Sequence, residues 1–127
     1  MINWFVKSKK KMNKEWSNLT EEIQIAEIID LSSSIPVYIF KHSTTCGISA
    51  QAKENIEVSF KNNDKPIIFY YLDLLKYRTI SNEVASKLNV HHQSPQLILV
   101  RNGQAVFTTS HHKIKATTIE DSLSLLK

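Results

Sequence analysis

Cys46 is the single cysteine of the chain, and it stands in the stretch Phe40-Lys41-His42-Ser43-Thr44-Thr45-Cys46-Gly47-Ile48-Ser49. The pattern places its thiol for nucleophilic chemistry. An apolar run precedes it and a helical pattern follows, so Cys46 falls at a helix N-terminus, where partial positive charge and free N–H groups favour the thiolate. The thiolate is the species that attacks disulfides. The alternative is a free cysteine that only fills space in a core. Thr44, Thr45, Gly47 and Ser49 are small and polar, a poor setting for that role.

Ser49 lies one turn after Cys46 and is expected to face the same way. A cysteine there would attack a mixed disulfide and release the product. A serine can only donate a hydrogen bond to the thiolate, so a mixed disulfide on Cys46 must be resolved by a thiol from outside. The spacing favours a one-thiol exchange cycle. Gly47 allows a partner to approach the backbone closely. Lys41 and His42 sit just upstream, where a cation would stabilise a thiolate or attract an acidic thiol cofactor. Strand alternation puts the two on opposite sides, so only one faces the site, and Lys41 reads equally well as a solvated charge.

Pro95 opens a later apolar run, an allowed place for proline. A cis Ser94-Pro95 bond would turn the Ser94 backbone outward beside Cys46, ready to pair with an extended client segment, while the spacing alone fits cis and trans equally. The pairs His91-His92 and His111-His112 do not read as a metal site. Adjacent residues point apart, and no acidic cluster accompanies them.

The elements that must hold these residues follow from periodicity. Trp16 to Leu19 is a candidate first strand. Thr20 is a candidate N-cap, with Glu21 and Glu22 in the first turn and an apolar helical face to Leu31. Ile35 to Phe40 is a short apolar run of the kind buried on both faces. Ile48, Ala52, Ile56 and Phe60 recur at every fourth position, a helical stripe. Ile67 to Leu72 is a second buried strand. Ser81 is a candidate cap for a short helix with Val84, Ala85 and Leu88 inside. Leu97 to Val100, Asn102-Gly103 and Ala105 to Thr109 form a hairpin. Thr117-Thr118-Ile119-Glu120 matches a capping box, with Thr117 as N-cap, before a helix bearing Ile119, Leu123 and Leu126. Alternating strands and helices with a late hairpin give an α/β fold of thioredoxin-like type: a central mixed sheet of four to five strands flanked by helices.

With 127 residues, 42% of them hydrophobic, the chain suits one domain with one core. We expect a basic, flexible arm over residues 1–14 and the folded domain over 15–127. The net charge of +4 owes much to Lys7, Lys9, Lys10, Lys11 and Lys14. Such a cluster suits an acidic partner or simply a solvated tail, and Met12 is an alternative start that would remove most of it. Without the arm the charge is close to balanced, which gives no case for nucleic acid. No apolar run approaches a membrane span, and lysines follow the short apolar start, so neither a membrane anchor nor a secretion signal is expected. One cysteine cannot form an internal disulfide, which fits a reducing cytoplasm. A monomer is the expectation.

The stretch from Phe40 to Ser49 resembles the active-site signature of the monothiol bacilliredoxins, the YtxJ-type bacillithiol system proteins. His92-Gln93-Ser94-Pro95-Gln96 and Ser110-His111 are similar to further marks of that family, and the resemblance runs from about Trp16 to Leu126. It implies a thioredoxin-like fold, with bacillithiol as co-substrate and no metal. Cys46 would attack the mixed disulfide of a bacillithiolated client, and a second bacillithiol or another redox protein would restore the thiol. It implies a binding surface of Lys41, Thr44, Thr45, Gly47, Ile48, Ser49, Ser94 and Pro95, with Pro95 cis. Cys46-Gly47-Ile48-Ser49 also resembles the motif of monothiol glutaredoxins, which carry an iron–sulfur cluster with glutathione. Two departures stand against that reading: Ser94 replaces a valine, and no double glycine follows the hairpin. A third reading is a thioredoxin-like interaction module with an inert thiol.

Overall fold

The computed structural model describes residues 16–61, 63 and 65–126. The expected arm over 1–14 lies outside them. A five-stranded mixed sheet has the order β1-β3-β2-β4-β5. Its strands are β1 (Ser17–Asn18), β2 (Val37–His42), β3 (Ile68–Asp73), β4 (Gln96–Arg101) and β5 (Gln104–Ser110). The first three run parallel, while β4 is antiparallel to β2 and β5 to β4. Helices α1 (Ile23–Leu31), α2 (Gly47–Ser59), α3 (Arg78–Lys87) and α4 (Ala116–Ser124) cover the faces. This is the thioredoxin-like arrangement, and no described helix is long and apolar enough to cross a membrane.

The alternation of β2 separates two cores. Val37 and Ile39 pack with Ile28 of α1 and Val84 of α3. Tyr38 and Phe40 pack with Ala52 and Ile56 of α2 and Ile119 of α4. All six β2 residues are buried, as a central strand covered by helices on both faces requires. Tyr38 carries a polar tip into this core. Its hydroxyl lies 2.6 Å from Ser122 Oγ, and burial pushes its pKa up to about 12.

The hairpin turn uses left-handed backbone at Asn102 (φ 52°) and Gly103 (φ 76°), the conformation that Asn-Gly turns favour. Ser32, at the end of α1, holds this turn. Its carbonyl accepts from Asn102 N–H and its hydroxyl from Gly103 N–H, both at 2.8 Å.

Three helix starts differ from the expectations, because local cap rules compete with tertiary packing. Helix α1 begins at Ile23. The Gln24 side chain caps it from inside, its Oε1 accepting from Thr20 and Glu21 N–H at 2.8 and 2.9 Å. Helix α3 begins at Arg78, and Ser81 lies buried within it rather than capping it. In α4 the cap is Lys115, whose N–H donates to Thr118 Oγ1 at 3.2 Å, so the box sits two residues before its expected frame. The α2 stripe also loses its first member. Ala52, Ile56 and Phe60 are buried, while Ile48 is 38% exposed.

Candidate active site

Cys46 is the N-cap of α2 with extended backbone (φ −110°, ψ 123°). Its N–H donates to Ser43 O, and its carbonyl accepts from Ser49 and Ala50 N–H, each at 3.1 Å. The loop after β2 is thus pinned at both ends, and its tip stays open: Thr44, Thr45, Gly47 and Ile48 are exposed and Cys46 is half-buried. A Cβ built on Gly47 meets nothing within 4 Å. Internal packing therefore leaves that flank open.

The antiparallel register of β2 and β4 sets Lys41 opposite Gln96. The loop that carries Cys46 and the Ser94-Pro95 peptide therefore meet at one end of the sheet. That peptide is cis. Pro95 is buried and Ser94 half-buried, and the Pro95 carbonyl accepts from His111 N–H at 3.0 Å. Residues His111–Lys113 form a short 3-10 turn after β5. His111 and His112 join Gly47, Ile48, Gln51 and Asn55 around a hollow of about 260 Å³ beside the thiol loop. A larger hollow of about 540 Å³ lies between β5 and the 89–93 loop, and Cys46 is not among its walls.

Two expected contacts are redirected. Ser49 is buried, and its hydroxyl lies 2.7 Å from His42 Nδ1 while accepting from Ser43 N–H at 3.0 Å. Among the described residues no side chain donates to the Cys46 sulfur, so the expected Ser49–thiolate bond is replaced by one that braces the loop from beneath. His42 also packs its ring against Tyr71 at 5.3 Å. Its pKa is lowered by burial first and by Lys53 second, against smaller opposing effects of Asp73 and Ser49.

Lys41 is fully buried, so neither the solvated-charge alternative nor a place on the open binding surface describes where it stands. Alternation turns it to the α3 face, away from α2. Its Nζ donates to Ser81 O at 3.2 Å and lies 3.1 Å from His92 Nδ1. Burial lowers its pKa to about 8. His42, Ser81 and His92, each named in the sequence for another reason, are thus structural neighbours of the site in roles that the motif did not assign to them. Alternation signalled that Lys41 and His42 diverge. Partners 40 and 51 residues away left no local signal.

A family model for monothiol bacilliredoxin BrxC matches residues 17–119. Among solved structures, a protein with a thioredoxin fold is 26% identical, with a TM-score of 0.75, covering 91% of this chain and 97% of its own. Fasciola hepatica thioredoxin is 16% identical, with a TM-score of 0.67 and coverage of 87% and 99%. Schistosoma mansoni thioredoxin is 19% identical, with a TM-score of 0.67 and coverage of 91% and 98%. These two share the fold. Fold and family together make this a thiol-redox protein, with one thiol at the head of α2. The chain belongs to the monothiol bacilliredoxin BrxC family.

Proposed function

We propose that the protein removes bacillithiol from S-bacillithiolated client proteins through Cys46. The Cys46 thiolate attacks the bacillithiol sulfur of the mixed disulfide. A new S–S bond joins Cys46 to bacillithiol, and the client sulfur leaves as thiolate and takes up a proton. A second bacillithiol thiolate, or the thiol of another redox protein, then attacks the same sulfur. Cys46 is released, and the second thiol leaves in a disulfide with bacillithiol. The observation that carries this reading is a lone, half-exposed thiol at the head of α2, with a buried serine where a resolving thiol would stand.

Thr44, Thr45, Gly47 and Ile48 supply the open flank of the exchange surface, and Ser94 with Pro95 the opposing wall. The hollow edged by Ile48, His111 and His112 gives the small thiol a place beside Cys46. Both acceptor and clients would meet in a reducing cytoplasm, and the reaction needs no metal and one copy of the chain.

The test is intact-protein mass spectrometry after mixing reduced protein with a bacillithiolated client, beside Cys46→Ala. Transfer of the adduct from client to wild-type protein, and none to the variant, is the expected result. An adduct that stays on the client while free bacillithiol removes it readily overturns the proposal. It would direct attention to a cluster carrier, visible as colour in anaerobic preparations, or to an inert thiol.

A further inference from the structure

Two buried side chains hold the loop ahead of Ser94 from below. Gln96 Nε2 donates to His91 O at 3.0 Å. The Lys41 ammonium, on the strand paired with Gln96, lies 3.1 Å from His92 Nδ1 and donates to the Ser81 carbonyl of α3. Ser81 Oγ is a further neighbour of Nδ1 at 3.4 Å. An ammonium has donors and no acceptor, so Nδ1 must present its lone pair and the His92 hydrogen must sit on Nε2. No carboxylate pairs with Lys41 among the described residues. Its polar partners are this imidazole and that carbonyl.

We infer that Lys41 and His92 are positioning residues that clamp the loop carrying Ser94 and Pro95 onto the end of β2, and that protonation of His92 opens the clamp. This rests on the proposed exchange reading for its consequence, since the clamped loop is the wall a client would meet. Protonated His92 loses its acceptor and faces the Lys41 ammonium at contact distance. Lys41 from β2, Arg78 from α3 and His91 from its own loop all oppose a positive charge on it. Each of them, together with burial as the largest cause, holds its pKa below the ordinary histidine value. The clamp is therefore closed at neutral pH and opens on the acid side. Lys41 acts through His92 and touches no reacting atom.

The experiment compares Lys41→Met, His92→Leu and His92→Asn with wild type. Asn offers an oxygen near the Nδ1 position and does not titrate. Three readouts are taken: steady-state exchange with a bacillithiolated client, alkylation of Cys46 by iodoacetamide, and NMR of the His92 ring nitrogens and the His111 amide, whose N–H is held by Pro95 O.

We expect Lys41→Met and His92→Leu to raise KM for the client about tenfold. Alkylation stays within twofold of wild type, and His111 amide exchange quickens at least fivefold. His92→Asn restores KM at pH 7.5 and removes the loss of affinity that wild type shows below pH 6.5. Unchanged His111 protection in both Met and Leu variants overturns the clamp. So does alkylation slowed as much as exchange, which would put Lys41 on the thiol itself. Should Lys41→Met fail to fold, His92→Leu and its Asn rescue carry the same decision. A wild-type protein that does not exchange overturns the proposed function alone, because the amide and ring-nitrogen readouts still decide the clamp.

Discussion

Ser49 Oγ lies 2.7 Å from His42 Nδ1. The serine one turn after the only thiol is thus bonded downward into the sheet, and it ties the first turn of α2 to the last residue of β2. Removing its hydroxyl leaves a buried imidazole nitrogen and the Ser43 N–H without their partner. Ser49→Ala should cost about 1–3 kcal/mol of stability, the scale for stranding buried polar groups. Its Cys46 alkylation rate should change less than twofold. Urea unfolding and iodoacetamide kinetics on the same sample check both halves. A variant of full stability with a much slower thiol would show that the hydroxyl serves the sulfur after all.

Gly47 stands in open space, so its Cβ variant tests function apart from folding. Gly47→Ala should be no less stable than wild type, since alanine is the better helix former. Exchange with a bacillithiolated client should fall several-fold, because the added methyl stands on the flank a partner would approach. Thermal melts and client exchange, measured side by side, decide this. A drop in stability would mean that the flank is less open than it stands here.

Stability should decline as the solution is acidified below pH 6.5. His42 and His92 both have pKa values lowered from 6.5, with burial the first cause in each. Between that value and their folded values the unfolded chain binds more protons than the folded one, so stability is full above 6.5 and is lost on the way down. Lys41, with its pKa near 8, stays protonated in both states across this window. Urea midpoints at pH 7.5 and 5.5 should differ, and the double variant His42→Asn/His92→Asn should narrow the difference. Equal midpoints in wild type would contradict the burial of these rings.

The hairpin offers a stability test far from the thiol. Gly103 has φ 76°, and a side chain there meets Ile29 Cγ2 at 3.4 Å. Gly103→Ala should cost about 1–2 kcal/mol, the penalty for left-handed backbone in a residue with a Cβ. Ser32→Ala strands the Gly103 N–H and should cost about 1 kcal/mol or more. Gly103→Ala keeps the backbone N–H that donates to Ser32 Oγ, so the two losses have separate causes, strain and a stranded donor, and should be close to additive. Chemical denaturation of the four proteins checks this, and a Ser32→Ala variant as stable as wild type would argue against the bond.

Much of this molecule is legible without coordinates. The apolar runs ending at Phe40, Leu72 and Val100 mark the three central strands because a strand covered on both faces must be apolar at every position. Asn102-Gly103 announces its own turn through backbone preference. The position of Cys46 follows from where one run stops and the next period begins. Less legible is what depends on contacts far apart in the chain. Thr20, Ser81 and Thr117 are all reasonable caps, yet Gln24 reaches back around the first, packing absorbs the second and Lys115 displaces the third. Lys41 misleads for a related reason: a lysine next to a motif suggests solvent, and only Ser81 and His92, brought in by two other segments, make its burial tolerable.

Adjacent in sequence, Lys41 and His42 leave β2 on opposite sides and share no hydrogen-bond partner. One anchors the Ser94 wall and the other underpins the thiol loop. Their hydrogen-bond networks are separate, and a double-mutant cycle measures how far losses from changing them singly add in the pair. A lineage could thus retune which clients are held without disturbing how the nucleophile is presented, and the reverse. The frontier between the two traits is a single peptide bond.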